Sequence, residues 1–462
     1  MSKGLQTERL GGMLGEIAPP RAPDRLRRAV ATSIAETQPR HRWLAFIKEP
    51  SMRLSSRVAV GSPAVRFAYL FIVPLLLALL AVGSVVAAAS LLPNPSPLPN
   101  PSPPTSTCGA TFCPGGSLSE PRAWHTATRL LDGRVLIIGG TSAGDEDTGS
   151  AEVWDPVSDT SAPTGSLHQP RSRHTATLLP DGRVLVVGGW GPNSTMLDSA
   201  EIWDPKTGTF TATGSLAIGR GNHTATLLAD GRVLIVGGLK GGYEAVPTAE
   251  VWDAGTGTFT PAGSLAQKRY SHTATLLPDR RVLVIGGSDS RFSSFPSAEL
   301  WDPDTLTFSP AGPLAQKRTA HTATLLQDGS VLVVGGGPTL MISKSLGSAE
   351  RWDPVTDTFQ ATGSLVQARA NHSATILPDG RVLVIGGDKA PSGPPIDTAE
   401  TWDPATGTFS PAGTFQVARS VETATLLQDG RVLVTGGVSA DGYTADVETW
   451  DPTSPVSASP MP

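Results

Sequence analysis

The chain has 462 residues, with 50 Gly, 41 Pro, 10 Trp, 4 Tyr and 2 Cys, and a net charge of −5. Two cysteines exclude a disulfide-rich scaffold and a four-cysteine zinc site, and the absence of a Gly-X-Y period excludes collagen. The charge is uneven: residues 1–66 hold 12 Lys+Arg and 5 Asp+Glu (net +7), and the remainder holds 24 and 36 (net −12), so the acidic main body argues against a nucleic-acid partner.

Residues 1–66 read as a basic arm. Gly11-Gly12 and Pro19-Pro20 interrupt any long helix, and the positive charge suits anionic lipid head groups. Residues 67–92 (FAYLFIVPLLLALLAVGSVVAAASLL) carry no charge. As a helix they would reach about 39 Å, enough for a ~30 Å hydrocarbon core with some tilt. Ala87-Ala88-Ala89 would suit a signal-peptide cleavage site, but 66 preceding residues far exceed the n-region of one. The segment reads as an uncleaved transmembrane signal anchor. No Lys or Arg follows it until Arg122, which predicts a single-pass protein of the cell membrane, N-terminus cytoplasmic and the main body extracytoplasmic. Residues 93–110 follow as a Pro-rich stalk. Seven of residues 93–104 are Pro, an extended spacer of about 35–40 Å.

From residue 111 the chain repeats. Gly-Gly pairs begin at 139, 188, 237, 286, 335, 386 and 436, and Trp-Asp pairs at 154, 203, 252, 301, 352, 402 and 450. Each unit reads as four short strands. His223 to Leu228 would form the first, and Asp230-Gly231 the hairpin turn. The Val- and Ile-rich run before the Gly-Gly pair suits a second strand buried on both faces. The segment AEIWDP gives the third and TFTATGSL the fourth. Such a unit cannot bury both its faces alone, but it can when packed radially against its neighbours. The last unit ends at Trp450-Asp451-Pro452 without a fourth strand, while residues 111–118 (TFCPGGSL) match residues 258–265 (TFTPAGSL) at six of eight positions. The N-terminal segment is therefore expected to supply the outer strand of the seventh unit. The predicted fold is all-β: a seven-bladed propeller over 111–452, closed by an N-terminal strand, preceded by one transmembrane helix and followed by a flexible tail, 453–462.

The Gly-Gly doublet after an apolar strand and the aromatic pair that follows it, as in Trp203 and Phe210, resemble the kelch β-propeller family, to which the central domain of galactose oxidase is similar. Here Trp stands where kelch units usually carry Tyr, and Phe where they carry Trp. The galactose oxidase resemblance would imply a copper site with a Tyr cross-linked to Cys, a second Tyr and His ligands. No residues of this chain match that set, and no triad or phosphate loop is found, so no cofactor or metal is expected and the enzyme reading is not favoured.

Recurrence separates scaffold from site. His125, His174, His223, His272, His321 and His372 occupy one repeat position. Seven-fold spacing sets their imidazoles too far apart for all to lie ~2 Å from one ion, so they read as structural. Arg122, Arg171, Arg220, Arg269, Arg318, Arg369 and Arg419 recur, as do Glu152, Glu201, Glu250, Glu299, Glu350, Glu400 and Glu448. Arg–Glu pairing is expected. The links from second to third strand vary, and with the links between units they emerge on one face. Seven propeller aromatics fall outside repeat positions, all on or beside that face: Trp124, Trp190, Tyr243, Tyr270, Phe292, Phe295 and Tyr443. With Glu422, which replaces the repeat histidine in the seventh unit, these are the candidate ligand-binding residues. Aromatics on loops either pack down onto the blades or supply contact area for a protein or sugar. Cys108 and Cys113 could form a local disulfide only if the chain turns between them. The expected function is an extracytoplasmic module binding a protein or glycan. The alternatives are a carbohydrate-processing enzyme, with Glu422 and Asp145 or Glu146 as acids, and a surface sensor coupled to the cytoplasmic arm.

Overall fold

The computed structural model describes residues 111–339, 344–390 and 393–454. Seven four-stranded antiparallel sheets follow one another along the chain. Blade 2 is typical: the inner strand Thr175–Leu178, the second Val184–Val187, the third Ser199–Asp204 and the outer Thr209–Ser215. Inner strands of successive blades lie side by side, and that of blade 7 lies beside that of blade 1. The ring is closed.

The second strands explain the apolar runs. Val184–Val187, like its six counterparts, is wholly buried because it is sandwiched between adjacent blades. At the boundary of blades 1 and 2, Leu136 and Ile138 pack on Val184, Val186, Trp203 and Phe210. The repeat Trp completes the seam. Trp301 Nε1 donates to the Ala262 carbonyl of the preceding blade at 2.9 Å, and Trp450 Nε1 to that of Ala412 at 2.9 Å. A bulky indole with one polar tip thus fills the wedge between blades, and in these two blades its donor is satisfied.

Closure occurs in blade 7. Phe112–Ser117 pairs antiparallel with Asp446–Trp450, in the order inner Thr423–Leu426, second Val432–Thr435, third Asp446–Trp450 and outer Phe112–Ser117. Phe112 faces Trp450 in the register that Phe210 takes against Trp203. Trp154 Nε1 of blade 1 then donates to Gly115 O of this strand at 3.0 Å. Cys113 is disulfide-bonded; Cys108, the other cysteine of the chain, lies outside the described residues. The basic arm, the apolar span 67–92 and the Pro-rich stalk up to residue 110 also lie outside them. Among the described residues no helix is long and apolar enough to cross a membrane.

The Gly-Gly pair is required where blades approach. Gly188 has φ +58°, and a Cβ there would lie 2.5 Å from the Arg220 carbonyl oxygen and 2.9 Å from His223 Cε1 of the next blade. Chain reversal after the second strand and close inter-blade contact meet at this residue.

Candidate functional site at the mouth of the propeller axis

The repeat charges form the framework beneath the site. Each repeat Arg is fully buried and pairs with the Glu of its own blade, at 2.5–2.9 Å in six blades and as the Arg419–Glu448 pair in the seventh. The guanidinium also caps backbone carbonyls: Arg171 Nη1 donates to Gly188 O at 2.9 Å and Ser199 O at 3.0 Å. The Glu accepts from the incoming inter-blade link, as in Ala217 N–H to Glu250 Oε2 at 2.9 Å. These charges are mutually satisfied, and they fasten the link just before it reaches the axis.

The histidines lie one step further on. His174, His223, His272, His321 and His372 each place Nε2 2.9–3.1 Å from the hydroxyl of the first inner-strand Thr of the preceding blade. His125 meets Thr423 and Thr435 of blade 7. Burial, with a smaller push from the repeat Arg, lowers His125, His223, His272 and His372 to about 3. They are neutral seam residues. Among the described residues no three His, Cys, Asp or Glu side chains gather to hold a metal ion.

The residue before each histidine position encircles the axis. Trp124, Arg173, Asn222, Ser271, Ala320, Asn371 and Val421 all have φ between +50° and +55°. That left-handed conformation is uncommon outside glycine and is sustained only where the surroundings over-determine it. Here the surroundings include a relay of backbone bonds between blades: Arg173 N–H to Trp124 O at 3.0 Å, Asn222 N–H to Arg173 O at 3.2 Å and Ser271 N–H to Asn222 O at 3.1 Å. The Asn371–Ala320 and Val421–Asn371 bonds follow, each at 3.0 Å. The seven side chains are of six kinds while their backbone is the same.

The variable links lie on the same face as this ring. In every blade an antiparallel bridge joins the inter-blade link to the link after the Gly-Gly pair, as Ser172 does to Trp190 and Gly221 to Leu239. Most of the expected aromatics converge on the blade 1–4 side. The guanidinium of Arg173 lies 4.2 Å from the Trp124 ring centre and 4.9 Å from that of Trp190. Trp124 meets Tyr443 edge-on at 6.1 Å, and Trp190 meets Tyr243 at 5.6 Å. Tyr443 Oη donates to Asp145 Oδ1 at 2.5 Å. Gly221 makes room for the indole: a Cβ there would lie 2.2 Å from Trp190 Cδ1. An open depression of about 260 Å³ is lined by Trp124, Arg173, Asn222 and Ser271, with four histidines, His125, His174, His223 and His272, alongside. Across the ring Asn371 Nδ2 donates to the buried Asp388 Oδ2 at 3.1 Å.

Two expected residues, Tyr270 and Glu422, lie in the body of the fold, and Phe295 is half-buried. Tyr270 is 3% exposed, in a cluster with Leu239 and Ala245 against which Trp190, Met196, Tyr243 and Phe292 pack; burial pushes its hydroxyl up. Phe295 lies 5.3 Å from the Arg269 guanidinium. Glu422 is 5% exposed and both carboxylate oxygens lack a hydrogen-bond partner. Burial pushes it up to about 8. Conversely, Arg173 and Asn222 line the depression although neither is aromatic nor a break in a conserved-looking type. The signal for them was positional: the slot before the repeat histidine reads Trp, Arg, Asn, Ser, Ala, Asn, Val, six kinds in seven copies of an otherwise regular motif.

This geometry defines a β-propeller of kelch-type repeats. Residues 170–216 match the Kelch motif, and the seven blades repeat that unit around the ring. Among solved structures, the chain is similar to a fungal alcohol oxidase of the AA5 family in complex with copper, at 19% identity and TM-score 0.62, over 74% of this chain and 76% of that one. It is also similar to YjhT, at 15% identity and TM-score 0.52, over 64% of this chain and 98% of that one. At these identities the likeness is one of fold. Comparison with curated proteins finds no match.

Proposed function

We propose that this protein is a membrane-anchored, extracytoplasmic binding module whose ligand, a protein or glycan, docks at the mouth of the propeller axis. The observation that carries the reading is the convergence of Trp124, Trp190, Tyr243, Tyr443 and Arg173 beside an open depression. Rigid aromatics on a rigid scaffold give large contact area at small entropic cost. Kelch propellers commonly serve as interaction modules, which agrees with this use of the face. Anchoring and orientation rest on the uncharged run 67–92 and the Lys/Arg imbalance around it.

The test is a binding screen of the purified full-length protein against glycans and candidate proteins. Trp124→Ala combined with Trp190→Ala should lower binding at least tenfold while the folded circular-dichroism spectrum persists. Undiminished binding after truncation of all four aromatics would overturn the reading.

A further inference from the structure

We infer that the mouth takes an anionic carbohydrate, with the acidic group on Arg173 and a ring hydroxyl on Asn222. This rests on the binding role just proposed and names its ligand class.

Arg173 differs from every repeat arginine. Those seven are each neutralised by a glutamate. Arg173 forms no ion pair with a carboxylate among the described residues. Two indoles hold its guanidinium instead, at 4.2 and 4.9 Å. Such stacking fixes the plane of the fork and strips water from its faces, while the N–H edges stay available for a bidentate acceptor. The adjoining ring residue offers complementary chemistry. Asn222 Oδ1 is a buried acceptor without a donor, next to Arg173 in the backbone relay and on the same depression. A ligand that satisfies both must present negatively charged oxygens and a hydroxyl close together.

Size then selects the class. A depression of about 260 Å³ suits a single sugar ring and falls below the ~300–1,000 Å³ usual for drug-sized ligands. A sugar acid combines a carboxylate or sulfate, hydroxyls, and an apolar ring face suited to the half-buried Trp124 beside Arg173.

The experiment is an array of immobilised glycans, with uronic-acid and sulfated oligosaccharides beside their neutral counterparts, probed with the purified full-length protein. Acidic glycans should be retained at least tenfold more tightly than neutral ones, and the preference should weaken with added salt. Arg173→Met should lower acidic-glycan affinity at least tenfold without changing the melting temperature. Arg173→Lys, which keeps the charge and loses the planar fork, should fall between them, and it serves alone if the Met variant does not fold. Equal retention of acidic and neutral glycans, or unchanged acidic binding by either folded variant, overturns the anionic assignment and leaves the binding reading standing. Retention of a protein partner with no glycan bound has the same consequence. No ligand of any kind in either screen overturns both.

Discussion

Glu422 is where one residue departs most from its six equivalents. A histidine there would place Nε2 against the hydroxyl of the preceding blade, as His372 does against Thr322. The carboxylate has no such partner, and Ser373 Oγ donates instead to the Glu422 backbone carbonyl at 2.9 Å. Burial is the main cause that raises its pKa from 4.5 to about 8; nearby Asp388 adds to the rise and Arg419 opposes it. An acid held above its unfolded value contributes most stability below the unfolded value and loses it as pH rises. The propeller should therefore weaken by a few kcal/mol between about pH 4.5 and 8 relative to Glu422→Gln, whose melting temperature should be flatter across that window. Parallel melting curves for the two proteins would contradict the assignment. The substitution itself is visible in the sequence, but its burial is not, because a loop-face residue and a seam residue look alike when only their positions in the repeat are known.

Among the structural elements, the Gly-Gly turn has the least tolerance. Gly188 combines positive φ with a 2.5 Å approach to the Arg220 carbonyl oxygen, so a methyl group meets backbone that cannot move without parting blades 2 and 3. Gly188→Ala should cost about 1–3 kcal/mol or more, read as a lowered midpoint in chemical denaturation. Gly241→Ala, in the link of blade 3 with no atom within 4 Å of its added Cβ, should leave the midpoint unchanged. Equal effects at both sites would contradict this account. Strand order and the doubly buried second strand were legible because a repeat displays each element seven times. The left-handed ring at the axis was not: Trp124, Arg173 and Ser271 carry no glycine or turn signature, and their φ is imposed by the backbone relay between blades.

At the scale of the whole molecule, the two ends of the propeller share one sheet. Without Phe112–Ser117, the strand Asp446–Trp450 becomes an unpaired edge, and Phe112 leaves a core that includes Phe415, Val432 and Trp450. Deleting residues 112–118 should lower the melting temperature markedly and broaden the transition, since the seam to blade 1 loses Leu118 and the Gly115 acceptor of Trp154. A deletion that melts like the parent would show that the strand does not close the ring. Closure could be read from the chain because residues 111–118 copy a fourth strand that the last unit lacks.

The sequence by itself determined the number of blades, their strand order and the strand exchange that closes them, since periodic burial leaves a periodic trace. It also marked the face on which the links vary. Only the tertiary structure decided which residues of that face meet. Arg173 and Trp190 are 17 positions apart and Trp124 and Tyr443 more than 300, and ring closure brings all four to one mouth. The same packing removes Tyr270 and Glu422 into the body of the fold. Distance along a repeat sets the blade a residue belongs to, but depth from the surface depends on how neighbouring blades pack around it.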